Sequence, residues 1–244
     1  MPLPTKRSEK EKNYLKKTYL IYGAPKAGKT TITSQLGDDE GNKVLFFATE
    51  PGHKFQEIYK WQKEVEHFDE DSTFEDPNCW EDFKLCCREL MTQKHDFKCL
   101  VIDTADILYK WCGEHVCKQH GIEHESDLGF GKGYALIREE FMAPINYLAQ
   151  KGMGLIFVSH EVEKEKDLGI KKISYTDTTL PGSAKKVIHG LCDYIFYFGV
   201  NPEGKRYIRT KGTESVNAGD RGGNLSELLP MNAENLINEL KGDN

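Results

Sequence analysis

The 244-residue chain is 38% apolar and 30% charged, with a formal net charge of −6, the balance of a globular domain rather than of a disordered or fibrous chain. No apolar stretch approaches the roughly 20 residues of a membrane span. Residues 1–7 lack the apolar segment of a secretory signal, and the seven cysteines show no disulfide-scaffold spacing, so they read as reduced thiols in a cytoplasm. The negative total excludes indiscriminate coating of nucleic acid but leaves room for a local basic path.

Residues 1–17 read as a flexible basic arm carrying Lys6, Arg7, Lys10, Lys12, Lys16 and Lys17, diluted by Glu9 and Glu11. The apolar run Thr18-Tyr19-Leu20-Ile21-Tyr22 is a predicted buried strand. It leads into Gly23-Ala24-Pro25-Lys26-Ala27-Gly28-Lys29-Thr30, which fits the P-loop pattern G-x-x-x-x-G-K-[ST] at every fixed position. Thr31-Ile32-Thr33-Ser34-Gln35-Leu36 can open a helix. This strand, loop and helix make residues 23–31 a candidate nucleotide-binding loop. Its glycines let backbone N–H groups turn toward phosphate oxygens, and the helix start adds its dipole. Lys29 would reach the β- and γ-phosphates, and the Thr30 hydroxyl would hold Mg²⁺.

Lys43-Val44-Leu45-Phe46-Phe47-Ala48-Thr49-Glu50 is a second predicted strand, broken by Pro51-Gly52. The next segment, 53–67, is ambiguous between helix and strand. The stretch 64–82 holds nine Asp and Glu and no Lys or Arg, and reads as a solvated loop or, alternatively, a partner surface. Asn78 can cap a helix running to Gln93, with Trp80, Phe83, Leu90 and Met91 on its apolar face. Cys99-Leu100-Val101-Ile102-Asp103-Thr104 is a third strand, followed by a helix over 107–120, a glycine-rich loop over 127–133 and a helix over 134–150 that Pro144 can kink. Residues 154–160 form a fourth strand, ending in Ser159 and His160. The charged stretch 161–179 reads as a loop without regular structure. A short helix over 183–189, two strands over 192–198 and 205–210, and a helix over 232–240 complete the chain. Strands alternating with helices predict an α/β, three-layer P-loop NTPase with a mainly parallel central sheet. Its ATPase domain spans 18–230, and a C-terminal helix and tail occupy 231–244.

Asp103 ends its strand where a Walker B aspartate stands, beside Thr30 as a metal partner; the alternative is an N-cap for the next helix. Glu50, at another strand tip, either positions the water that attacks the γ-phosphate or is an ordinary turn carboxylate. Ser159 and His160 either touch that water and the γ-phosphate or simply meet solvent. The guanine-reading pattern N/T-K-x-D is absent. Cys112, His115, Cys117, His120 and His124 match zinc spacings only loosely, and helix packing explains them as well.

The order of parts, from the P-loop through Phe47-Ala48-Thr49-Glu50, Val101-Ile102-Asp103, Ile156-Phe157-Val158-Ser159-His160 and Thr178-Thr179-Leu180-Pro181-Gly182-Ser183-Ala184-Lys185-Lys186, is similar to the RecA-type recombinase core over residues 18–230. More closely, it resembles small phage-encoded RecA-like ATP-binding proteins, some of which act in single-strand annealing or recombination. The resemblance implies a RecA-like sheet, ATP and Mg²⁺ as cofactors, Glu50 as the water-activating carboxylate and His160 as the switch near the γ-phosphate, where RecA itself has glutamine. It implies DNA-binding loops at 126–133 and 161–179, with Phe130 and Tyr175 as stacking residues. It further implies a homo-oligomer in which Arg209 and Lys211 reach a neighbour's ATP site. Three functions follow: a Mg²⁺-dependent ATPase acting on single-stranded DNA in phage recombination or replication, a nucleotide-dependent protein-interaction module, and, more weakly supported, a nucleotide kinase.

Overall fold

The computed structural model describes residues 9–38, 40–62, 80–167, 169 and 172–242. The first eight residues of the expected arm, the acidic stretch up to residue 79 and the Asn78 cap lie outside these.

In chain order the elements are β1 (Thr18–Gly23), α1 (Lys29–Ser34), β2 (Lys43–Ala48), β3 (Tyr59–Lys60), α2 (Trp80–Thr92), β4 (Phe97–Asp103), α3 (Ala105–His120), α4 (Lys132–Gln150), β5 (Gly154–Asp167), β6 (Lys172–Thr178), α5 (Gly182–Leu191), β7 (Tyr194–Val200), β8 (Arg206–Arg209), β9 (Gly219–Asp220), β10 (Leu228–Pro230) and α6 (Ala233–Gly242). The strands join in the order β10-β8-β7-β1-β5-β4-β2-β3, with β6 added to β5 and β9 to β7. From β3 to β7 the pairings along this path are parallel, while β8, β9 and β10 are antiparallel. This is the expected fold class.

Near-continuous apolar strands are needed because both faces of the sheet are covered. Side chains alternate between them. Leu20, Leu45, Phe47, Leu100, Ile102, Leu155 and Phe157 pack toward α2, α3, α4 and α5. Tyr19, Ile21, Val44, Phe46, Val101, Ile156 and Val158 pack on the other side with Ile32 of α1 and Leu236 and Leu240 of α6. The sheet is thus the middle of three layers, and α6 belongs to the core rather than to a tail.

Two expectations change, and one overlap between expectations is resolved. The arm ends earlier than residue 17: Tyr14 and Leu15 are buried, and the Tyr14 hydroxyl donates to Leu36 O at 2.8 Å. Residues 80–82 of the acidic stretch begin α2. The described part of 161–179 is not an irregular loop. β5 runs on to Asp167 and pairs antiparallel with β6 from Glu161↔Thr178 to Asp167↔Lys172, so this arm's backbone groups are satisfied mainly by each other, with Thr176 N also donating to Ser215 O, rather than by the central sheet.

Candidate nucleotide-binding site

The register of the parallel strands decides what meets at their C-terminal edge. Gly23 lies beside His160, Asp103 beside Val158, and Ala48 beside Asp103. Residues at and just past these positions therefore meet at one sheet edge, where ligands of open α/β sheets gather. The β2 and β4 ends are cross-linked: Thr49 N donates to Asp103 O at 2.7 Å, and Thr104 N donates to the Thr49 hydroxyl at 2.7 Å. The Asp103–Thr104 peptide is cis.

Residues 23–31 wrap around the start of α1. Gly28 has φ +106°, and a β-carbon there would stand 3.2 Å from Met231 Sδ and 3.8 Å from Arg206 Nη1. A β-carbon on Gly23 would lie 2.2 Å from Phe198 O. Both ends of the loop therefore need glycine, one for conformation and close contact, the other for space. The Lys29 ammonium is buried and donates to Gly23 O at 2.8 Å and Ala24 O at 2.9 Å. Burial lowers its pKa, while Asp103, Glu161, Glu50 and Asp106 act in the opposite sense. Four carboxylates thus act electrostatically on the P-loop lysine that follows Gly28.

Thr30 Oγ1 donates to Asp103 Oδ2 at 2.7 Å. The Asp103 carboxyl is pushed up chiefly by burial and by Glu50, and held down by the Thr30 hydroxyl, Lys29 and His160. The N-cap of α3 is Thr104, so Asp103 is directed at α1 and not at the helix it precedes. A hydroxyl and a carboxylate converging on one point are hard oxygen donors. They fit Mg²⁺, which takes one or two protein oxygens and completes its shell with phosphate and water. Glu50 likewise makes no side-chain cap for the 3₁₀ turn Pro51–Phe55. Its Oε1 stands 3.5 Å from His160 Nε2. His160 Nδ1 and Glu161 Oε2 are buried without a hydrogen-bond partner, as happens in polar sites shaped for a ligand or water.

Of the residues expected from sequence, Lys29, Thr30, Asp103, Glu50 and His160 are brought together. Ser159 is not directed at this edge: it is fully buried and donates to Asp106 Oδ1 at 3.1 Å. Arg209 is held by Glu227 of its own chain at 2.7 Å, while Lys211 is exposed. Cys112 is buried and directs its thiol at Ile137 O, a packing role. The 126–133 segment is a 3₁₀ turn, Glu125–Leu128, followed by Gly129, Phe130 and Gly131, all with positive φ, which leave Phe130 fully exposed. Sequence reasoning missed Asp106 and Arg206. Asp106 carried a signal, a second carboxylate one helical turn after Asp103; Arg206 carried none beyond its place in a strand.

The chain matches the family described as AAA domain (AAA_24) over residues 15–222. It belongs to that family, a nucleotide-binding ATPase class. No curated protein matches it. Among solved structures it is similar to the RadB recombinase, with 14% identity and a TM-score of 0.46, covering 80% of each chain. No helix among the described residues is long and apolar enough to cross a membrane.

Proposed function

We propose that the protein is a Mg²⁺-dependent ATP hydrolase of RecA type that acts on single-stranded DNA. The observation that carries the catalytic part is the convergence of Lys29, Thr30, Asp103, Glu50 and His160 at one sheet edge, with Thr30 on Asp103 at 2.7 Å and Glu50 on His160 at 3.5 Å. The backbone of residues 23–31 and Lys29 would bind the phosphates. Thr30 and Asp103 would hold Mg²⁺, which when bound neutralises charge on the phosphate chain. Glu50 would orient water and take its proton, and His160 would tie the γ-phosphate's presence to the β5–β6 hairpin.

The DNA part is supported by the hairpin. Its cross-strand pairs sort charge by face: Lys164↔Tyr175 and Lys166↔Ile173 on one, Glu163↔Thr176 and Glu165↔Ser174 on the other. On the first face Lys164 is paired with the buried Asp177 at 3.1 Å, so the exposed Lys166 with Tyr175 is what suits a single strand there, and the exposed Phe130 adds a second stacking group. The setting in phage recombination or replication, and a homo-oligomer, rest on the family resemblance. A trans role for Arg209 requires that it leave Glu227. A second reading, a nucleotide-dependent protein-interaction module, is favoured by the acidic hairpin face.

ATP hydrolysis with and without single-stranded DNA, at several salt concentrations, tests this. Stimulation that falls steeply with salt and is absent in Lys29→Ala supports it. Hydrolysis indifferent to DNA selects the second reading.

A further inference from the structure

Asp106 lies in the first turn of α3, and three elements meet on it. Its Oδ1 accepts the hydroxyl of Ser159 at 3.1 Å and that of Thr179 at 2.6 Å. Ser159 is the last fully buried residue of β5, and Thr179 is the first residue after β6. Thr179 N also donates to His160 O at 2.9 Å. The two strands of the hairpin are therefore closed on each other at one point, and that point is bonded to the helix that follows Asp103. His160, between the two hydroxyl-bearing positions in this closure, is the residue that faces Glu50. Farther along, β6 is tied outside the hairpin by Thr176 N donating to Ser215 O at 2.7 Å and by the buried Asp177 accepting from Lys185 of α5, while toward the described end Glu163, Glu165, Lys166 and Asp167 are exposed.

We propose that Asp106 is a positioning residue: it latches the root of the β5–β6 hairpin to the first turn of α3, so that the hairpin and the Glu50–His160 pair respond together to the nucleotide. The inference rests on the nucleotide site proposed above. A single carboxylate oxygen accepting two hydroxyls from different elements fixes their separation, which a lone hydrogen bond does not. The chemistry needed is an acceptor at Oδ1, not a charge. Asparagine at 106 keeps that acceptor, whereas alanine removes it. At the other end, Thr179 is exposed, so valine there removes the hydroxyl while preserving shape and burdening no core.

The test is amide hydrogen exchange of residues 161–167 and 172–178, with and without Mg²⁺ and a non-hydrolysable ATP analogue, together with kcat and KM for ATP. In the wild type, nucleotide is expected to raise protection of both strands together. Thr179→Val and Asp106→Ala are expected to bind the analogue within about twofold of wild type, to lose that response, and to lower kcat by about tenfold at unchanged KM, the scale of one hydrogen bond. Asp106→Asn is expected to retain the response. If Asp106→Ala does not fold, Thr179→Val, with Thr179→Ser as its rescue, decides alone. A nucleotide response that survives in Thr179→Val, or is absent from the wild type, overturns the latch. A wild type that binds no nucleotide overturns the site itself, and the latch with it.

Discussion

Thr30 and Asp103, 73 residues apart in the chain, meet through a 2.7 Å hydrogen bond. The contact exists because the loop after β1 and the end of β4 reach the same sheet edge, with β5 between them. A buried carboxylate whose close partner is a hydroxyl is poised for a cation. Asp103→Asn is therefore expected to leave nucleotide binding without Mg²⁺ unchanged and to lower Mg²⁺-dependent turnover by roughly 100-fold or more. Titrating Mg²⁺ against the hydrolysis rate of both proteins checks it; equal Mg²⁺ responses would refute the assignment.

Arg206 supplies the second prediction. Its guanidinium stands beside Gly28, and among the described residues no carboxylate forms an ion pair with it, whereas Arg209 is bound to Glu227. Arg206→Ala is expected to weaken ATP binding by about tenfold or more, as for a charge-assisted contact. Arg209→Ala should leave binding by the isolated chain near wild type. Calorimetric titration of the two variants separates them.

His189 gives a pH prediction. Its pKa is lowered to about 4 by burial first and then by Lys185, with Asp177 opposing. The unfolded chain, with an ordinary histidine near 6.5, binds this proton more readily than the fold does. Its contribution is therefore intact above about pH 6.5 and is lost as pH falls toward 4. Thermal melts at pH 7 and pH 5 should show a smaller drop for His189→Gln than for the wild type. An equal drop would place the acid sensitivity elsewhere.

Gly23 tests the packing of the loop. A β-carbon there would overlap Phe198 O at 2.2 Å, whereas one on Gly52 meets nothing within 4 Å. Gly23→Ala is expected to cost about 1–3 kcal/mol of stability and to weaken nucleotide binding. Gly52→Ala should change stability by under about 0.5 kcal/mol. Urea unfolding of both variants measures the contrast.

The longer strands β1, β2, β4, β7, β8 and the first part of β5 were legible as short apolar or alternating runs, and the P-loop fixed which of them begins the site; β3, β9 and β10, of two or three residues each, are too short to carry a pattern. Two further things were not legible. The extension of β5 past His160 carries one apolar residue, Val162, in seven, because its partner is β6 and not a core, so hydrophobic pattern is silent there. In β6, Ile173 and Tyr175 do alternate with polar residues, but the surrounding charge masked that signal. The second was register. Glu50, Asp103 and His160 were each readable as strand ends. That Glu50 meets His160, and that Ser159 turns away to Asp106, depends on how β5 aligns with β1 and β4, which spacing along one chain does not encode.

The most direct measurement is ATP turnover by the wild type and Glu50→Gln, with ATP binding measured on the same preparations. The account predicts that the wild type hydrolyses ATP with Mg²⁺, and that the variant binds ATP at least as well while turnover falls by about 100-fold or more, the range for loss of a general base. Glu50→Gln turning over at the wild-type rate, with binding intact, would contradict the assignment of Glu50 and the catalytic reading of this sheet edge.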